Sequence, residues 1–401
     1  FNTIQNLLLA LFIAFGTGGA VVISQLLGMG NKERASFAAK QLIYLTTFVS
    51  VVLAGVFLLI RNPLLHLVYG TIEMEVFENA SLYAIPILLS LPFLAGMNSL
   101  NALFRAMGRT KISMQVSIFS NIVNIVGNAL CILVFHMGAL GVGIATLASR
   151  VVSVIILMAK ISDKSLPVHV EGLQHFKLDG KMIGTIFSIA LPSGLENSIW
   201  HVGKIVMIST IAYFGTASIA SFAVLDNIGT FANITGQAWG LTLMTLAGQC
   251  CGAKKYDQAR FYTRQMLLAA YISMAIVALF LLLFMPYIVG IYGYGEETTK
   301  LAIFVCTEYM FFNVVFWPAS FTPPNLLKAA GDVNYTMVSA ISSMWFFRVF
   351  FARFLGITMN MGLGGVLWGM YIDWIVRSIL FFARYKSGKW ESKGIERREG
   401  R

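Results

Sequence analysis

The sequence predicts an all-α integral membrane protein of two pseudo-symmetric six-helix bundles, arranged as parallel repeats with 11 of 12 transmembrane helices present. Three observations predict it: an apolar composition, a succession of segments with the length of a bilayer crossing, and an internal repeat of constant register. Of 401 residues, 57% are hydrophobic and 12% charged, and the mean hydropathy is +0.76. A soluble core of that composition would have almost no polar surface to cover it.

The apolar segments lie near 2–27, 37–60, 79–104, 112–135, 139–160 and 182–212, then 216–248, 261–292, 298–326, 334–358 and 363–385. Each is close to the length of about 20 residues that crosses hydrocarbon unaided. None alternates with period two as a barrel strand does, so each reads as a helix, which satisfies its own backbone hydrogen bonds in lipid.

The connections between these segments sort by charge. One alternate set carries Lys32, Arg34 and Lys40; Arg105, Arg109 and Lys111; Lys160, Lys164, Lys177 and Lys181; Lys254, Lys255, Arg260 and Arg264; Lys328; and the tail from Arg384. The opposite set holds only Arg61, Lys300 and Arg353 beside the acids Glu73, Glu75, Glu78, Glu296 and Glu297. Basic loops stay inside, so the first set and the C terminus are expected on the cytoplasmic side of the cell membrane. Topology thereby accounts for the net charge of +11. Nucleic acid is not implied, because the basic residues form no single stripe with interleaved aromatics. For the tail, a solvated terminal segment is the simpler reading and contact with anionic lipid the other.

Gly16, Gln25, Gly28 and Ala35 recur 224 residues later as Gly240, Gln249, Gly252 and Ala259. Phe104-Arg105-Ala106-Met107-Gly108 recurs as Leu327-Lys328-Ala329-Ala330-Gly331, and Gly141 as Gly364, each after 223 residues. Both copies fall in loops of the same topological sign, so each half has an even number of crossings and the repeats are parallel. Residue 1 then corresponds to about 225, and Phe1 stands in mid-helix without an initiator Met or signal peptide, so the first half is expected to lack its first helix. The expected division is an N-terminal lobe at 1–162, a cytoplasmic linker at 163–181, a C-terminal lobe at 182–385 and a basic tail at 386–401.

Enzyme motifs are not found. Gly16-Thr-Gly-Gly lacks the Lys and Ser/Thr of a phosphate-binding loop, and Cys131, Cys250, Cys251 and Cys306 show no metal spacing, so neither a nucleotide-driven pump nor a metal centre is expected.

In Gln25-Leu-Leu-Gly28 and its echo Gly248-Gln-Cys-Cys-Gly252-Ala253, Arg105-Ala-Met-Gly108, Leu191-Pro-Ser-Gly-Leu-Glu196, Gly215-Thr216, and Asp373-Trp374 with Arg377, the chain resembles a bacterial MATE (multidrug and toxic compound extrusion) transporter. That family belongs to the wider multidrug/oligosaccharide-lipid/polysaccharide flippase superfamily. The resemblance implies two six-helix lobes around a central cavity and export of amphipathic or cationic compounds by H+ or Na+ antiport. It implies a monomer in the lipid bilayer with no cofactor beyond the coupling ion. The alternative within the superfamily is a flippase for a lipid-linked precursor, which would show a strongly basic cavity; the basic residues at membrane depth are chiefly Arg150, Lys204 and Arg348.

Ionisable groups at membrane depth cost about 3 kcal/mol or more each, so each is a functional candidate. Glu196 leads them, because Pro192 and Gly194 just before it can break the helix and expose carbonyls to an ion, while desolvation favours its neutral form. Two readings stand: a proton carrier or sodium ligand, or a clamp pairing with Lys204 or Arg348. The resemblance adds Tyr309 and Asn313, one turn apart, where some members keep a Tyr and an acid; Glu308 points about 100° away from Tyr309.

Ser117, Asn121, Asn124 and Asn128 share one helix face. Members with an N-lobe cation site match Asn101, Asn124, Asn128 and Thr146 here, with Asn128 where an acid is expected; hydrogen bonding between helices explains the same residues. Asp226 has no obvious local partner and is assigned to a cavity wall, whereas Asp373 and Arg377 form an intrahelical pair. Trp200 and Phe312 are the aromatic residues assigned to substrate contact, among 31 Phe and 19 Met that lipid contact mostly explains.

Overall fold

A computed structural model of the protein describes residues 2–63, 74–172 and 178–395; Glu73, Lys177, the side chain of Glu75 and the tail beyond 395 lie outside the described residues. Every regular element described is helical. The order is α1 (Asn2–Gly28), α2 (Lys32–Leu59), α3 (Met74–Leu89), α4 (Leu91–Ala106), α5 (Thr110–Ala129), α6 (Gly138–Ile161), α7 (Gly180–Ala212) and α8 (Thr216–Gly252). There follow α9 (Tyr256–Gly290), α10 (Glu296–Phe321), α11 (Pro323–Ala329), α12 (Val333–Ser343), α13 (Phe350–Arg353) and α14 (Gly362–Lys386).

Among the described residues, eight helices are long and apolar enough to cross a membrane, and the pair α3 and α4 makes a ninth, bent by 44°. The bend falls at Ser90, where Pro92 follows and cannot donate a backbone hydrogen bond. Ser90 Oγ donates to the Ile87 carbonyl and receives the Arg150 guanidinium from α6, so the break is also where that cation is satisfied. The remaining two of the eleven expected spans are α7 and α8, 33 and 37 residues long. They are long enough but more polar, because they carry Glu196, His201, Lys204, Asp226 and Asn233.

The exposed surface supports a lipid environment. Along α9, Leu268, Ile272, Ile276, Leu279 and Leu283 are all exposed, and their spacing of three or four residues puts them on one face. In water such a stripe would be an uncompensated cost, whereas in hydrocarbon it is matched to its solvent.

The chain forms two compact units, Phe1–Gly194 and Leu195–Arg401. The sequence reading puts the linker at 163–181, but the division lies inside α7, after Pro192. The first half of α7 belongs with α1: a Cβ added to Gly18 would come within 2.8 Å of the Ile186 carbonyl oxygen, and Phe15 packs on Phe187 at 6.0 Å. In the preceding loop, the Ser165 N–H donates to Asp163 Oδ1 at 2.9 Å and holds that carboxyl below the usual carboxylate range.

The internal repeat is written in the backbone. Left-handed residues recur as Gly30 and Lys254, Gly108 and Gly331, His136 and Asn360, and Gly138 and Gly362, always 223 or 224 apart. The π-helical turns Leu130–Val134 and Phe354–Thr358 are also 224 apart. One expected equivalence shifts. A Cβ on Gly141 would lie 2.7 Å from Cys131 Cβ, and one on Gly365 2.6 Å from the backbone of Leu355 and Gly356, whereas Gly364 faces open space. The counterpart of Gly141 is therefore Gly365, the glycine that close helix approach requires.

The tail as far as Ile395 is docked onto the C-terminal unit, contrary to the solvated segment read from the sequence. A turn of 3-10 helix, Lys389–Ser392, buries Trp390 completely against Tyr256, and the indole N–H donates to the Tyr385 carbonyl at 3.1 Å. Glu391 pairs with Arg260. Charge dominates the composition of this tail, but one tryptophan carries enough apolar area to anchor it. Trp390→Ala should lower stability by about 3 kcal/mol; an unfolding midpoint in detergent equal to that of the unsubstituted protein would contradict the anchor.

Candidate functional site

Pro192 interrupts the hydrogen-bond ladder of α7, and Glu196 follows one turn later. Its carboxylate meets Lys328 of α11, with Nζ 3.0 Å from both oxygens. Only Oε1 is in hydrogen-bonding geometry; Oε2 is buried and accepts no hydrogen bond. The two side chains are only 17% and 16% exposed. The sequence reading offered Lys204 or Arg348 as the clamp and put Lys328 in a loop. Lys328 instead belongs to a short helix that the Pro323-Pro324 pair starts afresh after α10.

Lys204 is taken by Asp226 of α8, with Nζ 2.8 Å from both carboxylate oxygens. Asp226 thus has the partner that its neighbours in sequence do not supply. The same ammonium stands 5.8 Å from the Trp200 ring, and His201 packs edge-on against that indole at 5.3 Å.

Tyr309 and Asn313 come together as expected, and α8 adds a residue that the sequence reading missed. Asn313 Nδ2 donates to Tyr309 Oη at 2.9 Å and to Asn233 Oδ1 at 2.8 Å, and Asn233 Nδ2 donates to Tyr309 Oη at 3.2 Å. Gly229 leaves room for the phenol, since a Cβ there would lie 2.8 Å from Oη. Asp226, Gly229 and Asn233 share one face of α8, and that spacing was the available signal. Phe312 is stacked on Tyr371 at 4.2 Å and edged by Trp368 at 5.1 Å, so it belongs to an aromatic stack in the core of this unit.

The third cluster joins α12 to α14. Asp373 accepts hydrogen bonds from Arg377 Nε and Arg348 Nε, each at 2.9 Å, and from Ser343 Oγ. The expected pair with Arg377 is present, and Arg348 converts it into a buried network.

In the N-terminal unit, Asn124 Nδ2 reaches Thr146 Oγ1 at 3.4 Å and Ser149 Oγ at 3.5 Å, and Asn128 Nδ2 donates to Asn124 Oδ1 at 3.2 Å. Ser117 and Asn121 are exposed, so the polar face divides after Asn121. Asn101 makes no side-chain hydrogen bond to this cluster among the described residues, and its Oδ1, like that of Asn128, is buried without a partner. At the repeat distance of 224, Asn124 and Ser149 correspond to Arg348 and Asp373. Equivalent positions are thus neutral in one unit and ionic in the other.

A family profile described as MatE matches residues 1–130 and 192–354. An uncharacterized transporter, YisQ of Bacillus subtilis, is 26% identical over 405 residues, spanning 98% of this chain and 87% of that protein. A probable multidrug resistance protein, NorM of Thermotoga maritima, is 24% identical over 394 residues, spanning 96% and 83%. A crystal structure of MATE in the bent conformation superposes with a TM-score of 0.89 at 20% identity, over 100% of this chain and 87% of the other. An outward-facing multidrug resistance MATE transporter gives 0.89 at 20% identity over 96% and 86%.

Proposed function

The chain belongs to the MatE family of multidrug transporters, and on that premise we propose that it exports amphipathic or cationic compounds by H+ or Na+ antiport with alternating access, Glu196 being the coupling carboxylate. The observation that carries this reading is the Glu196 and Lys328 pair, whose second carboxylate oxygen is buried and unbonded. A carboxylate at membrane depth must be neutralised. Here Lys328 does so; a proton or sodium ion on Oε2 would do the same and make the ammonium redundant. Charge on Glu196 then decides whether α11 is held to α7, which gives an ion gradient a mechanical consequence.

Tyr309, Asn313 and Asn233 offer neutral oxygens for a cation in the C-terminal unit, and Asn101, Asn124, Asn128 and Thr146 do so in the N-terminal unit. With asparagine at 313, the C-terminal set has no acid of its own, and this favours protonation of Glu196 over a sodium cage there. The protein works as a monomer in the plasma membrane with its C terminus in the cytoplasm. The flippase reading gains no support from Arg150, Lys204 and Arg348, because they are engaged by Ser90, Asp226 and Asp373.

The test is efflux of a fluorescent cation from liposomes under an imposed pH or sodium gradient. Glu196→Gln should abolish gradient-driven transport while leaving substrate binding within about twofold, a difference of under 1 kcal/mol. Undiminished transport would move coupling to the N-terminal cluster, and no transport by the unsubstituted protein under either gradient would favour the flippase.

A further inference from the structure

The Lys204 and Asp226 pair differs from the other membrane-depth ion pairs in its accessibility. Its side chains are 31% and 44% exposed, against 6% and 0% for Arg348 and Asp373. It also stands beside an indole face: the ammonium lies 2.8 Å from both oxygens of Asp226 and 5.8 Å from the centre of the Trp200 ring. A carboxylate beside an indole face is the combination that recognises an organic cation, through a charge-assisted hydrogen bond or ion pair on one side and the ring quadrupole on the other.

In this structure the cation in that place is supplied by the protein. Lys204 is a compact charge on a flexible four-carbon stem, one turn along α7 from Trp200, so it can leave without moving the helix. A partly exposed ion pair contributes little stability, so folding alone is a weak reason to place both charges within a membrane-spanning element.

We infer that Asp226 and Trp200 form a subsite for the cationic group of the exported compound, and that Lys204 is its tethered competitor and a specificity-determining residue. An organic monocation must displace the lysine to bind. The competition sets a threshold that weakly held cations do not pass, and it refills the subsite after release, so that Asp226 is never left without a counter-charge. This inference rests on the export reading and adds the residue that gates it.

The measurement is equilibrium binding of ethidium, a fluorescent aromatic monocation, to the purified protein in detergent with no gradient. Removing the competitor in Lys204→Met should tighten binding by up to about fivefold, the scale of one lost, partly exposed ion pair. Lys204→Gln should act in the same direction and guards against a misfolded methionine variant, while Lys204→Arg should stay near the unsubstituted protein. Asp226→Asn should weaken binding, and adding Lys204→Met to it should bring no gain, because the competition requires the carboxylate. Ethidium binding that is unchanged or weaker in both neutral variants overturns the competitor role and leaves the export reading intact. No ethidium binding by the unsubstituted protein overturns both.

Discussion

Asp373→Asn should destabilise the C-terminal unit by about 3–5 kcal/mol, the cost of breaking a buried ion pair from one side. Asp373 is fully buried and accepts from Arg348, Arg377 and Ser343. The amide would leave two guanidinium groups, each about 5% exposed, without a counter-charge. They cannot reach water by a small rotation. Arg377 Nη2 is already donated to the Ala340 carbonyl and its guanidinium lies over Phe321. The helices around it are also in close contact, since a Cβ on Gly369 would come within 2.6 Å of the Ala352 amide nitrogen. The unfolding midpoint in detergent reports the loss, and a midpoint unmoved by the substitution would show that the network is hydrated. Replacing Arg348, Asp373 and Arg377 together by apolar residues of similar volume should recover most of the stability, because it is the orphaned charge and not the absence of a pair that costs.

That network illustrates how much was legible beforehand. Asp373 and Arg377 are four residues apart, so helical geometry alone brings them together. Arg348 lies on another helix, and no spacing rule reports which helices become neighbours. The same division runs through the site. Asn124 and Asn128 are visible as one helix face, and Tyr309 and Asn313 as one turn, but Asn233, Lys328 as the partner of Glu196, and Lys204 as the partner of Asp226 are long-range facts. The fold was more legible because its signals are cumulative. Composition, eleven apolar segments and a repeat of 223 to 224 residues each constrain the whole chain, and the left-handed residues recur in that register. Where a single residue had to be placed, as with Gly364 against Gly365, identity was insufficient and steric crowding decided. Trp390 shows the converse: counting charges in the tail hid the buried side chain that anchors it.

Lys328→Met should cost about 3–5 kcal/mol, and Glu196→Gln in the same chain should restore most of it. The single substitution leaves a carboxylate on α7 that is only 17% exposed, with no cation in reach among the pairs described, since Lys204 and Arg348 are held by Asp226 and Asp373. Glu196→Gln alone is the milder change, because the ammonium it releases sits on a flexible stem near the end of α11 and can extend towards water. With both groups neutral, neither side is left with an uncompensated charge. The cycle therefore separates a true charge pair from two residues that merely pack: strong non-additivity in unfolding free energy identifies the pair, and additive losses would mean that Lys328 does not compensate Glu196. Coupling of that size is what the antiport reading requires, because an ion arriving at Glu196 can shift the position of α11 only by as much free energy as the pair it replaces.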